Sequence, residues 1–232
     1  MPRRNRGYVP GIGAHVVQRG NNRQNCYRCQ QDFATYAKYM IEYAIELDIK
    51  VHAWVLMTNH IHMYCTGSEK YSLSKFMQRL SSRYARYFNR RYQRTGTLWE
   101  GRFYSAMVED ELHSLNVHRY IELNPVNAYM VKRPADYHWS SYGTNALGVE
   151  SSVCSPHRDY LALGATEEER RRAYRHLFLD KCSQEFIDEI RAATASNGAL
   201  GSAEFKQKLF EKTGIRYAPQ RGGPKEGVVR ME

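Results

Sequence analysis

Two imidazoles stand one residue apart in the stretch Thr58-Asn59-His60-Ile61-His62-Met63-Tyr64, whose other residues suit a buried strand. Successive strand side chains alternate faces. His60, His62 and Tyr64 therefore share one face, and Ile61, Met63 and Cys65 form an apolar face behind them. If helices cover the apolar face, the imidazoles lie on the open side, placed to hold a divalent metal. On its own, a His-x-His pair is more often two half-buried histidines satisfied by backbone or water. The pair needs company before it means chemistry.

That company is a helix expected from the stretch Glu111 to Asn124. Tyr120 and Asn124 are four apart and share a helix face with His113 and Asn116. Leu112, Leu115 and Leu123 gather on a different side and are expected to pack down. A helix that crosses the open sheet face would bring Tyr120 and Asn124 to the histidines. The chain has 18 tyrosines, so a tyrosine alone carries nothing.

A second pattern is basic. Lys75, Arg79, Arg83, Arg86 and Arg90 fall on one side of a helix expected over about 72–92, opposite Leu73, Phe76, Met77, Leu80, Tyr84 and Phe88. Such a stripe is usually a solvated face. No acidic residue lies between Lys70 and Arg94, which favours contact with phosphates. Arg3, Arg4 and Arg6 could reach a nucleic-acid groove or serve only as a mobile basic end.

The elements that must position these residues follow from periodicity and breakers. Ala14–Arg19 reads as a strand, and Asp32 as the cap of a helix over Phe33–Leu47 with apolar helical spacing. Two β-rich runs broken at Thr58-Asn59 read as a hairpin. A strand over 101–109 follows, then the third helix, capped by Asp110 and stopped by Pro125. The order βαββαβ implies an α+β, ferredoxin-like sheet with both long helices on one face and the third helix on or beside the other. Three segments are expected: residues 1–148 as the chemical domain, 149–215 as a helical C-terminal extension, and 216–232 as a flexible basic tail. In the extension, Thr166-x-x-Glu169 is a capping box that opens a helix.

Composition sets the outer limits. Of 232 residues 42% are hydrophobic, enough for a core, and no run approaches a membrane span. No secretory signal is evident, so the expectation is a soluble cytoplasmic protein. Five cysteines at scattered positions are not a disulfide framework, and Cys26-x-x-Cys29 has no second pair to complete a zinc site. Net charge is +10; residues 1–150 hold 20 basic and 12 acidic side chains, the remainder 14 and 12. A positive field in the N-terminal part suits a polyanion.

Several ordered blocks, "HVVQRGNNRQ", "TNHIHMY", "LWEGRFYS", "RYIELNPVNAYMV" and "YHWSSY", resemble those of the REP-associated tyrosine transposases, within the HUH single-strand transposases. The resemblance spans about residues 8–145. It implies a ferredoxin-like nuclease with Tyr120 as nucleophile, and His60, His62 and Asn124 as ligands of a divalent ion, Mg²⁺ or Mn²⁺. Many relatives in the wider superfamily carry Gln at the third ligand position; Asn is shorter by a methylene. The implied activity is metal-dependent cleavage and rejoining of single-stranded DNA at palindromic hairpins, through a 5′-phosphotyrosine, near the nucleoid. Arg3, Arg4, Arg6, Arg19, Arg23, the α-helical stripe and Arg102 are the candidates for holding DNA. A monomer is slightly favoured over a homodimer. A non-cleaving repeat-DNA binder of the same fold and an RNA-binding or RNA-processing module stand as alternatives.

Overall fold

The computed structural model describes residues 7–110 and 113–217. Strand β1 (Ala14–Arg19) leads to helix α1 (Gln30–Glu46), hairpin β2 (Ile49–Leu56) and β3 (His60–Gly67), helix α2 (Ser72–Arg91), β4 (Tyr104–Val108) and α3 (Ser114–Glu122). Four short or medium helices follow: α4 (Asn124–Asn127), α5 (Tyr142–Leu147), α6 (Arg158–Leu161) and α7 (Glu167–His176). The chain then forms α8 (Gln184–Ala195), β5 (Ala199–Leu200) and α9 (Ala203–Thr213). The strand order is β2-β3-β1-β4-β5, with β1 antiparallel to both β3 and β4 and β5 parallel to β4. The first four strands have the expected ferredoxin-like arrangement. None of the described helices is long and apolar enough to cross a membrane.

The period-2 reading of β3 holds. Ile61, Met63 and Cys65 join Val16 and the apolar side chains of α1 and α2, including Met40, Phe76, Leu80 and Tyr84, in one buried cluster. Burying each such side chain contributes roughly 1.5–3 kcal/mol, so this layer fixes which way the sheet faces. On the opposite side Ala53, Val55 and Tyr64 pack against Val117, Tyr120 and Ile121 of α3. Gly13 allows the close approach of the Tyr64 ring, because a β-carbon there would lie 2.2 Å from its hydroxyl.

Three local expectations change. Asp32 is not the first cap of α1; it sits one turn in and its carboxylate accepts from the Arg28 and Cys29 amides at 2.8 and 3.3 Å. Asp110 does not cap α3, whose described part starts at Ser114; it accepts from Tyr64 at 3.1 Å instead. Leu115 of α3 does not face the sheet. Val117, Tyr120 and Ile121 do, while Leu115 packs outward on Tyr142, Tyr160 and Tyr174. Leu112 and the segment 218–232 lie outside the described residues. Thr166 and Glu169 form the capping box of α7 as expected. The C-terminal part is more than an appended helical segment, because β5 extends the sheet and α8 packs on β4, β5 and β1.

Candidate active site

The register of β1 on β3 pairs Val17 with His62 and Arg19 with His60. His15, Val17 and Arg19 therefore alternate onto the same face as His60, His62 and Tyr64. α3 crosses that face, and α8 closes one side. Between them lies an open cleft of about 650 Å³ whose lining includes His15, His60, His62, Tyr120, Asn124 and Arg191.

Hydrogen bonds set the tautomers. The Oδ1 of Asn59 lies 2.6 Å from His60 Nδ1. An amide oxygen only accepts, so His60 carries its proton on Nδ1 and keeps a lone pair on Nε2. His62 Nδ1 lies 2.9 Å from His15 Nε2, and His15 Nδ1 lies 2.8 Å from the Thr194 hydroxyl. When His62 Nδ1–H donates to His15 and His15 Nδ1–H donates to Thr194, His62 Nε2 is also bare. The two β3 rings are 5.0 Å apart between centroids. Burial pushes His15 down to about 3 and His60 to about 4, the latter helped by the charge of Arg19. His62 is also driven well below the ordinary histidine value, chiefly by burial. All three rings are neutral near pH 7, the form in which imidazole ligates a cation.

Tyr120 meets this group edge-on, its ring centroid 5.7 Å from His62 and 5.6 Å from His15. It is 6% exposed. Burial raises its pKa, and Arg191 pulls it back down. Asn124 stands where α3 gives way to α4. Pro125 has no amide hydrogen to offer α3, and Asn124 Nδ2 donates to the carbonyls of Tyr120 and Ile121 at 2.7 and 3.3 Å. Its Oδ1 is the atom left for a ligand. The donor set of two Nε2 lone pairs and one amide oxygen fits a divalent cation such as Mn²⁺, and Asn59 and His15 already orient the two imidazoles.

A second group of metal-ligating type lies elsewhere. Asp110, His157 and Asp159 bring ligand atoms within 4.8 Å of one another. None of the three lines the cleft. Arg158 pairs with both carboxylates, at 3.1 and 3.5 Å, so a cation of the chain itself is already there.

The expected basic residues divide. Arg19 and Arg23 line the cleft, although Arg19 is paired with Glu100 at 2.6 Å. The α2 stripe lies on the far side of the sheet, because α2 packs on the Ile61-Met63-Cys65 face. Its lack of acidic partners holds only along the sequence. In the fold, α1 supplies Glu46 to Arg79 and Glu42 to Arg83. These guanidinium groups also lie over the rings of Tyr43 and Tyr39. Lys75, Arg86 and Arg90 stay exposed there. Arg102 lines a separate groove of about 560 Å³ beside α2. Arg3, Arg4 and Arg6 lie outside the described residues. Sequence reasoning missed His15, Asn59, Arg191 and Thr194. The strand alternation of Ala14–Arg19 could have given His15; nothing local marks the other three.

Comparison with known proteins follows the same outline. Residues 8–124 match the family described as IS200-like transposases. A solved REP-associated tyrosine transposase bound to a REP hairpin has a TM-score of 0.54 and 17% identity, covering 68% of this chain and 93% of that one. This is a likeness of fold. A Deinococcus radiodurans R1 structure described as a transposase has a TM-score of 0.37 and 17% identity, covering 52% of this chain and 95% of that one. No curated protein matches the chain.

Proposed function

The chain belongs to the IS200-like transposase family, and from that premise we propose that it cuts and rejoins single-stranded DNA with Tyr120 as nucleophile. The observation that carries this reading is the placement of Tyr120 against His62, in one cleft with His60 and Asn124. The Tyr120 oxygen attacks the scissile phosphorus in line. A tyrosine–phosphorus bond forms, and the bond from phosphorus to the 3′ oxygen breaks. The products are a 5′-phosphotyrosine and a 3′-hydroxyl; the phenol loses one proton and the leaving oxygen gains one. Phosphodiester energy is kept in the covalent bond, so another 3′-hydroxyl can reverse the step without a nucleotide cofactor.

His60, His62 and Asn124 are the residues that would hold a divalent ion, Mg²⁺ or Mn²⁺. When bound there, the ion supplies Lewis-acid polarisation of the phosphate. His15 and Asn59 orient the two imidazoles, and Thr194 anchors His15. Residues 1–148 carry the nucleophile and the ligands, and the nucleophile serves its own sheet, which favours a monomer. The substrate class we propose is palindromic hairpin DNA, on the strength of the fold shared with the hairpin-bound transposase. Arg19 and Arg23 are the basic side chains placed to meet its backbone at the cleft. The protein would act in the cytoplasm, on the chromosome.

The test is incubation with labelled DNA and RNA hairpins, with and without Mn²⁺. The proposal expects metal-dependent cleavage of DNA and a denaturant-resistant protein–DNA species. Binding without cleavage would leave a repeat-DNA-binding protein, and cleavage of RNA alone would make it an RNA-processing module.

A further inference from the structure

α8 lies beyond the residues that match the transposase family, yet it brings three residues to the cleft, Arg191, Thr194 and Ala195. We propose that Arg191 is a catalytic residue of the strand exchange, its guanidinium holding the Tyr120 oxygen and meeting the charge that develops on the scissile phosphate. This rests on the function proposed above. It gives part of the C-terminal extension a role in the chemistry.

Three observations carry it. First, α8 is a rigid mount. Ile190 is fully buried beside Val108 and Leu200, Phe186, Ile187 and Ala193 pack around it, and the Thr194 hydroxyl is 2.8 Å from His15. Arg191 stands three residues before Thr194, on the neighbouring turn of the same side. Second, Arg191 lines the same cleft as Tyr120, His62 and Asn124. Third, among the described residues no carboxylate pairs with Arg191, whereas its cleft neighbour Arg19 is bound by Glu100. A guanidinium offers several donors in one plane and stays charged at any working pH, so it can hold a phenolic oxygen and a phosphate oxygen together. In the proposed step Arg191 keeps its protons throughout. The phenolic proton leaves to water, and the departing 3′ oxygen takes one from water.

The experiment measures single-turnover formation of the covalent adduct at saturating hairpin DNA with Mn²⁺, for the full-length wild type, Arg191→Ala and Arg191→Gln. Removing a charge-stabilising donor from a site of this kind costs about 10²–10³ in rate. We expect that loss in both variants, unchanged hairpin affinity, and partial recovery of Arg191→Ala when free guanidinium ion is added below denaturing concentration. Arg191→Gln keeps most of the side-chain length, so it reports even if the alanine variant folds poorly. Adduct formation at the wild-type rate in either variant overturns the inference. So does a defect confined to affinity that vanishes at saturation, which would make Arg191 a binding residue only. If the wild type itself forms no adduct, the proposed function fails, and the inference with it. If the wild type reacts and the variants react equally, only the inference fails.

Discussion

Glu122 is a buried carboxyl two residues from Tyr120, on the side of α3 that faces away from the cleft. It is 0% exposed. Ser141 donates to its Oε1, Asn145 Nδ2 donates to the same oxygen at 2.9 Å, and the Tyr174 hydroxyl donates to Oε2 at 2.9 Å. It thereby ties α3 to α5 and α7. Burial lifts its pKa from 4.5 to about 7, against the three donors, which pull it down. A carboxyl raised in the folded state binds its proton more tightly there than when unfolded. Its contribution is therefore fully present below about pH 4.5 and is lost as pH rises through about 7. At about 1.4 kcal/mol for each tenfold difference in proton affinity between the folded and unfolded chain, the full loss is about 3 kcal/mol, an upper figure because a relaxed site admits water. Glu122→Gln keeps the size and an acceptor oxygen without the charge. Urea unfolding of both proteins should give similar stabilities at pH 5 and a more stable variant at pH 8, with the difference growing across pH 5–8. Parallel pH profiles for the two proteins would refute the reasoning and make Glu122 a carboxylate fully solvated by its three donors.

The other expectations concern the cleft and the basic residues. His60→Ala should lose cleavage and measurable Mn²⁺ binding by calorimetry while keeping hairpin affinity; chelation should silence the wild type, with recovery on adding Mn²⁺. Full cleavage by His60→Ala would return the pair to a purely structural role. Asn124→Ala exposes the Tyr120 and Ile121 carbonyls at a helix break, so thermal melting should report a loss of about 1 kcal/mol, beyond any effect on cleavage; an unchanged melting temperature would show that water replaces the amide. Arg19→Ala with Arg23→Ala should reduce the log–log salt slope of hairpin binding by about 0.7–0.9 for each phosphate that is no longer neutralised. Arg79→Gln with Arg83→Gln, whose partners are Glu46 and Glu42, should leave that slope unchanged.

Much of this site was legible because it depends on local periodicity. A period of two puts His60 and His62 on one face of β3, and the apolar Ile61-Met63-Cys65 set turns that face away from α1 and α2. A spacing of four sets Tyr120 and Asn124 together. What was not legible depends on pairing across the chain. Leucine spacing misjudged how α3 lies, because the side facing the sheet carries Val117, Tyr120 and Ile121, and Leu115 is claimed by tyrosines of α5, α6 and α7. The α2 stripe looked free because its carboxylate partners sit 33 and 41 residues upstream on α1. Thr194 meets His15 across 179 residues. Arginine and threonine on an amphipathic helix announce nothing until the sheet brings that helix to the cleft.

In the proposed reaction, the decisive chemical event is the bond between the Tyr120 oxygen and DNA. A 5′-fluorophore-labelled single-stranded hairpin and its 3′-labelled counterpart, each incubated with the protein and Mn²⁺, separate the possibilities after denaturation and peptide mass mapping. The mechanism predicts that only the fragment 3′ of the cut stays attached, through its 5′ phosphate, on the peptide containing Tyr120, and that Tyr120→Phe binds the hairpin but forms no adduct. An adduct on Tyr104, which also lines the cleft, or an undiminished adduct in Tyr120→Phe, would contradict it.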